Sequence, residues 1–133
     1  MAGPLPIADP APLDGLLPAQ ASVGVDSRSF HAYVHIPFCR VRCGYCDFNT
    51  YTPSELQDGA TLEIVSNEYI DAVLLELKSS PTDPVPTIFF GGGTPSLLPA
   101  NDLGRVITAI KARNTVTDDC EITLEANPDS VTA

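Results

Sequence analysis

The sequence predicts an α/β fold with parallel strands. Two observations lead there. Short apolar segments of period two alternate with longer segments whose apolar residues recur at helical spacing, in the order strand, helix, strand, helix, strand. The loops that follow the strand-like segments carry the unusual residues, a cysteine cluster after the first and three glycines after the second. Such alternation implies parallel strands joined by crossover helices, with ligands bound beyond the C-terminal ends of the strands.

The elements follow in order. Residues 1–28 hold Pro4, Pro6, Pro10, Pro12 and Pro18 among many alanines, and read as a mobile extension with at most a short docked segment at Leu16-Leu17. Residues 29–133 form the folded domain. Residues 30–36 are the first strand, with Val34 and Ile36 on one face and Tyr33 and His35 on the other. Pro37 ends its regular pairing. Residues 51–65 read as a loop of weak helical content. A helix is expected over 66–79, capped by Ser66, with Ile70, Val73, Leu74 and Leu77 in one stripe. Three prolines in 81–86 mark a connector. Thr87–Phe90 is a short strand. A second helix over 99–113 places Pro99 in its first turn and Leu103, Val106, Ile107 and Ile110 in its stripe. Glu121–Ala126 is the third strand, with Ile122 and Leu124 opposite Thr123 and Glu125. Cys120, just before it, reads as a small buried hydrophobe.

Composition narrows the function. The 133 residues suffice for one domain with a modest core. A net charge of −10 argues against nucleic acid as a partner. No apolar run approaches the ~20 residues that cross a bilayer. The N-terminus lacks a basic stretch followed by an apolar core, so a cytoplasmic location is expected.

The chemistry concentrates in Cys39-Arg40-Val41-Arg42-Cys43-Gly44-Tyr45-Cys46, a C-x3-C-x2-C spacing. Thiolates suit iron–sulfur clusters and zinc. A 4Fe–4S cube held by three local thiolates leaves one iron open to an outside ligand. Structural zinc, completed by His35 or Cys120, is the competing reading and would make the chain a binding module without catalysis. Zinc sites, however, usually pair two cysteine couples, and no second couple is present. Gly44 is read as permitting a tight turn in the loop, Arg40 and Arg42 as solvated or cluster-facing charges, and His35 as loop support. The Gly91-Gly92-Gly93-Thr94 loop lets a ligand approach the backbone closely, but it is neither a P-loop nor G-x-G-x-x-G.

Taken together, Tyr33-Val34-His35-Ile36-Pro37-Phe38-Cys39, Cys46-Asp47-Phe48-Asn49-Thr50, Phe89-Phe90-Gly91-Gly92-Gly93-Thr94-Pro95-Ser96 and Leu124-Glu125-Ala126-Asn127-Pro128 resemble the radical S-adenosylmethionine (SAM) superfamily. More narrowly they are similar to its oxygen-independent coproporphyrinogen-III-oxidase-like family. The resemblance implies the first half of an incomplete (β/α)6 barrel, followed elsewhere by further strands and a C-terminal domain. It implies a 4Fe–4S cluster on Cys39, Cys43 and Cys46. It also implies S-adenosylmethionine against Tyr33, Tyr45, Gly92, Gly93, Thr94 and Glu125, with an electron donor to start the chemistry. The dehydrogenase branch of that family carries a further cysteine two residues after the third, where this chain has Phe48. The sequence thus resembles the haem-chaperone (HemW-like) branch, which implies haem as a ligand of the full-length protein and haem-accepting proteins as partners. The alternative is an oxygen-independent coproporphyrinogen III oxidase of porphyrin biosynthesis.

Overall fold

Three parallel strands in the order β1-β2-β3 carry the site at their C-terminal ends. They are β1 Ala32–Ile36, β2 Val85–Gly92 and β3 Val116–Leu124. The computed structural model describes residues 10, 12–14, 16, 18–56 and 58–131. Helices α1 Pro53–Leu56, α2 Leu62–Glu76 and α3 Ala100–Arg113 occupy the connections.

Alternation along the strands decides which face is covered. Val34 and Ile36 of β1 and Ile88 and Phe90 of β2 are buried, together with Val65 and Ile70 of α2 and Val106 and Ile110 of α3. Tyr33 and His35 pair with Phe89 and Gly91 on the opposite face, which carries no helix among the described residues. Full burial of such aliphatic side chains contributes ~1.5–3 kcal/mol each, so this single layer of helix on sheet is the main source of stability. Arg105 ties the two long helices together, donating to Asp71 on α2 at 2.6 Å and to Asp102 on α3 at 3.1 Å.

Several boundaries differ from the sequence expectations. Helix α2 starts at Leu62, because Thr61 is its cap and accepts from the Ile64 N–H at 3.4 Å. Ser66 is buried inside the helix and donates to the Glu63 carbonyl at 3.1 Å, so it caps nothing. Strand β2 starts at Val85 and runs through Pro86. The pairing with β3 shifts register between Val85 and Thr87, so the proline falls where a missing N–H costs no ladder bond. Strand β3 begins at Val116 and includes the polar Asp118 and Asp119. Cys120 therefore lies within a strand and is half-buried, packed against the core without being enclosed by it. Ile122 and Leu124 share a face as expected but remain partly exposed, because among the described residues no helix covers β3.

The proline-rich extension falls largely outside the described residues. Its described part forms two short turns, Ala19–Ser22 and Val25–Ser27, with no buried residue. Leu16 is exposed and Leu17 lies outside the described residues. Among the described residues no helix is long and apolar enough to cross a membrane.

Candidate functional site

The cysteine loop leaves β1 at Pro37 and returns at Tyr51. Its base is closed by a parallel bridge between Phe38 and Tyr51. The Tyr51 N–H donates to the Pro37 carbonyl at 2.7 Å and the Cys39 N–H to the Tyr51 carbonyl at 3.0 Å. Two aromatic groups brace this base from below. Tyr69 of α2 donates its hydroxyl to the His35 carbonyl at 2.6 Å, and its ring meets Phe38 edge-on at 5.3 Å. Burial pushes the Tyr69 phenol above its ordinary pKa, with smaller upward contributions from Glu76 and Tyr33.

Above the base the loop is open. Cys43 is exposed, while Cys39 and Cys46 are half-buried, and all are free thiols. Cys46 lies 3.8 Å from the Thr50 hydroxyl, and Arg42 donates to the Thr50 carbonyl across the loop. Arg42 also stands 3.8 Å from Glu55 on α1. It is thus a strut within the loop, neither a free solvated charge nor a group aimed at the thiols. Gly44 has no positive φ, and a Cβ there would meet nothing within 4 Å. The turn expected to need a glycine at this position does not need one.

The glycine loop is held far more tightly. The Gly93 N–H donates to the Ile36 carbonyl and the Thr94 N–H to the Phe38 carbonyl, both at 2.8 Å. A Cβ on Gly93 would fall 2.5 Å from the Phe38 oxygen and 2.9 Å from the Cys39 sulfur. Only a residue without one lets the two loops touch. Gly92 has φ +120°, a conformation that side chains rarely adopt, and faces the His35 ring. Thr94 directs its hydroxyl toward Cys39 at 3.9 Å.

Glu125 follows β3 directly. Its N–H extends the ladder to the Phe90 carbonyl at 3.0 Å, and its Oε2 accepts from the Gly92 N–H at 2.9 Å. No partner is recorded for Oε1 among the described residues.

These parts converge on one open cleft of ≈ 760 Å³. The three cysteines and Tyr45 line it together with Gly92, Gly93, Thr94, Glu125 and Asn127–Ser130, with Cys39 against the glycine loop. The volume is within the ~300–1,000 Å³ usual for small-molecule sites. The expected residues are thus brought together, with one exception. Tyr33 stands outside the cleft on the uncovered sheet face, stacked on Phe89 at 5.9 Å. Its hydroxyl meets His35 Nδ1 at 3.0 Å, and His35 Nε2 meets the Asn49 carbonyl at 2.8 Å. A carbonyl only accepts, so Nε2 carries the proton and Nδ1 accepts from Tyr33. His35 thereby supports the loop, as the sequence suggested.

Three soft thiols on one exposed wall fit an iron–sulfur cluster by donor chemistry. Among the described residues no three His, Cys, Asp or Glu side chains are close enough to enclose a metal ion. The thiols therefore share a wall without converging on a point. Tyr69 and Tyr51 left no mark in the sequence, since an isolated tyrosine gives no periodic or motif signal, and Thr50 was legible only as the end of the Cys46–Thr50 run.

Comparison with known proteins places this geometry in context. The Radical SAM superfamily model matches residues 33–132. The chain is 37% identical over 127 residues to the heme chaperone HemW of Mycobacterium tuberculosis (strain CDC 1551 / Oshkosh), covering 91% of this chain and 29% of that protein. It is 41% identical over 99 residues to the heme chaperone HemW of Synechocystis sp., covering 73% and 24%. It is 40% identical over 98 residues to the mitochondrial radical S-adenosyl methionine domain-containing protein 1 of Mus musculus, covering 74% and 21%. The chain thus spans 29% or less of the length of these relatives. Among solved structures, coproporphyrinogen III oxidase (HemN) from Escherichia coli, a radical SAM enzyme, superposes with a TM-score of 0.70 at 24% identity over 87% of this chain and 27% of that one. That likeness establishes the fold, a partial barrel of the same kind. With the superfamily model spanning residues 33–132, from β1 past the end of β3, the chain belongs to the radical SAM superfamily.

Proposed function

We propose that this chain is the cluster- and S-adenosylmethionine-binding part of a cytoplasmic haem chaperone of the HemW kind. The observation that carries the reading is the shared cleft. The C-x3-C-x2-C thiols line one open cleft together with Gly92, Gly93, Thr94 and Glu125. Cys39, Cys43 and Cys46 would hold a 4Fe–4S cluster and leave its fourth iron for the ligand. When bound and reduced by an external electron donor, the cluster supplies the electron that cleaves the sulfonium bond of S-adenosylmethionine.

The chain's own residues bind and orient. The backbone at Gly92 and Gly93 admits the ligand closely. Glu125 spends Oε2 on the Gly92 N–H, which leaves Oε1 to accept from an ammonium or hydroxyl group. Tyr45, 88% exposed on the rim, offers a ring face to an adenine. Tyr33 acts on the site through His35. Phe48 lines the same cleft with 68% of its surface exposed. It offers no thiol where the dehydrogenase branch has one, which favours haem handling over porphyrinogen oxidation, as do the names of the relatives. Haem and haem-accepting proteins are then the partners of the full-length protein.

Anaerobic reconstitution tests the first half. We expect a brown protein with about four irons and four sulfides per chain. Cys39→Ser, Cys43→Ser and Cys46→Ser should each lose the cluster and Cys120→Ser keep it. A colourless protein with one zinc, or equal loss in Cys120→Ser, overturns the reading. Haem titration and a coproporphyrinogen III assay on the full-length protein test the second half. Haem should bind and porphyrinogen should not be converted, whereas robust decarboxylation would restore the oxidase alternative.

A further inference from the structure

One wall of the cleft, Asn127–Ser130, is closed by a ring of hydrogen bonds whose direction can be worked out. The Ser130 hydroxyl donates to the Asn127 carbonyl at 2.6 Å. The Asn127 N–H donates to Ser96 Oγ at 3.2 Å. The hydroxyls of Ser96 and Ser130 meet each other. Each hydroxyl owns one proton. With the Ser130 proton on Asn127, the Ser96 proton must point to Ser130. The circuit therefore runs Ser96 to Ser130, Ser130 to the Asn127 carbonyl, and the Asn127 N–H back to Ser96. The Asn127 side chain is fixed as well, because its Oδ1 accepts from the Asp129 N–H at 3.0 Å.

Placement gives the ring its meaning. Asn127 and Ser130 line the cleft, whereas Ser96 does not. Ser96 stands behind the wall, in the short Pro95–Leu97 turn that follows the glycine loop. Pro95 beside it is buried and Thr94 is bonded to Phe38. Ser96 thus joins a rigid part of the cleft to the segment after β3, where both elements otherwise have only single-turn structure.

We infer that Ser96 is a positioning residue that locks the Asn127–Ser130 wall against the glycine loop and so preforms the S-adenosylmethionine cleft. The inference rests on the proposed function for its ligand and on the ring alone for its mechanism. A wall that is in place only part of the time lowers apparent affinity by that fraction.

The test uses the reconstituted holoprotein and the variants Ser96→Ala, Ser96→Thr, Ser130→Ala and Ser96→Ala/Ser130→Ala. Iron content, amide exchange over residues 126–131 and S-adenosylmethionine affinity by equilibrium dialysis are measured on each. Ser96→Ala should keep its iron, exchange faster over that segment and bind S-adenosylmethionine about tenfold more weakly, the scale of two lost hydrogen bonds. Ser96→Thr, which keeps the hydroxyl, should recover to within about twofold. Ser130→Ala should match Ser96→Ala, and the double variant should be no worse, because one device is broken only once. Wild-type binding that Ser96→Ala leaves unchanged overturns this inference alone, as does a threonine variant no better than alanine. A wild type that takes up its cluster but no S-adenosylmethionine overturns the functional reading, and this inference with it.

Discussion

The two loops that line the cleft are built in opposite ways. The glycine loop is fixed by backbone bonds to Ile36 and Phe38 and by contacts too close for any side chain. The cysteine loop is closed at its base and open above it, with Cys43 and Tyr45 exposed and its thiols not gathered around a point. The difference teaches where preorganisation resides. The glycine loop is finished by the fold. The cysteine loop is not, and under the proposed function a cluster would gather its thiols, so that metal affinity becomes folding energy.

The sharpest way to break the comparison is Gly93→Ala. The added methyl would lie 2.5 Å from the Phe38 oxygen. That atom belongs to a backbone bonded to Thr94, so the loops must separate. Overpacking of this kind costs ~1–3 kcal/mol. We expect a lower urea midpoint together with poor cluster loading, read from iron content after reconstitution.

Next in size is Tyr69→Phe, which leaves the base of the cysteine loop without its brace. The His35 carbonyl loses a partly buried hydrogen bond, which costs ~0.5–1.5 kcal/mol. The ring and its contact with Phe38 stay. Denaturation should show that loss, while the glycine loop, which makes no contact with the hydroxyl, keeps its amide protection.

How much of this was legible beforehand depended on whether a residue acts by pattern or by position. Strand β1 and helix α3 stood out because Val34 and Ile36, or Val106 and Ile110, are buried at the spacing their periods require. The glycine loop stood out because three consecutive glycines follow the apolar run Ile88–Phe90, although Gly91 and Gly92 still belong to β2. The start of β3 was hidden, since Asp118 and Asp119 are exposed in an edge strand and leave no apolar alternation to read. Ser66 imitated a cap that Thr61 provides, because both hydroxyls stand near the start of the same helix. The cysteine motif picked out three side chains that line one cleft, whereas Tyr33, expected there, stands outside it against His35. Ser96 was visible only as the end of the glycine-loop run and Ser130 not at all, since a serine pair across 34 positions acquires meaning only when the chain folds.

Acid distinguishes the loops by a smaller effect. The Thr52 N–H, then its hydroxyl, and last the Arg42 guanidinium hold the Glu55 carboxyl below its ordinary pKa, against a small opposing effect of burial. A depressed folded-state pKa means the contribution is present above the unfolded value and lost as pH falls through the folded one. Lowering the pH of the apoprotein below the ordinary carboxylate range should therefore release the Thr52 N–H and hydroxyl first and weaken the contact with Arg42 last. Amide exchange at Thr50–Thr52, corrected for its intrinsic pH dependence, should accelerate there while Gly93 and Thr94 stay protected. Glu55→Gln should remove the pH dependence. Equal acceleration in both loops would mean global acid unfolding.

The smallest effect is expected at Gly44→Ala, and it sharpens the comparison most directly. Gly44 and Gly93 each sit in one of the two loops, but a Cβ on Gly44 would meet nothing and its φ is not positive. An alanine in such a place restricts the unfolded chain without straining the folded one, and stabilises by ~0.4–1 kcal/mol. Gly44→Ala should therefore reconstitute at least as fully as wild type, with a urea midpoint equal or slightly higher. Iron loading that falls as far as in Gly93→Ala would mean that the cluster-bound loop takes a conformation at Gly44 different from the one described here. The cysteine loop would then be remodelled by its metal, beyond being merely completed by it.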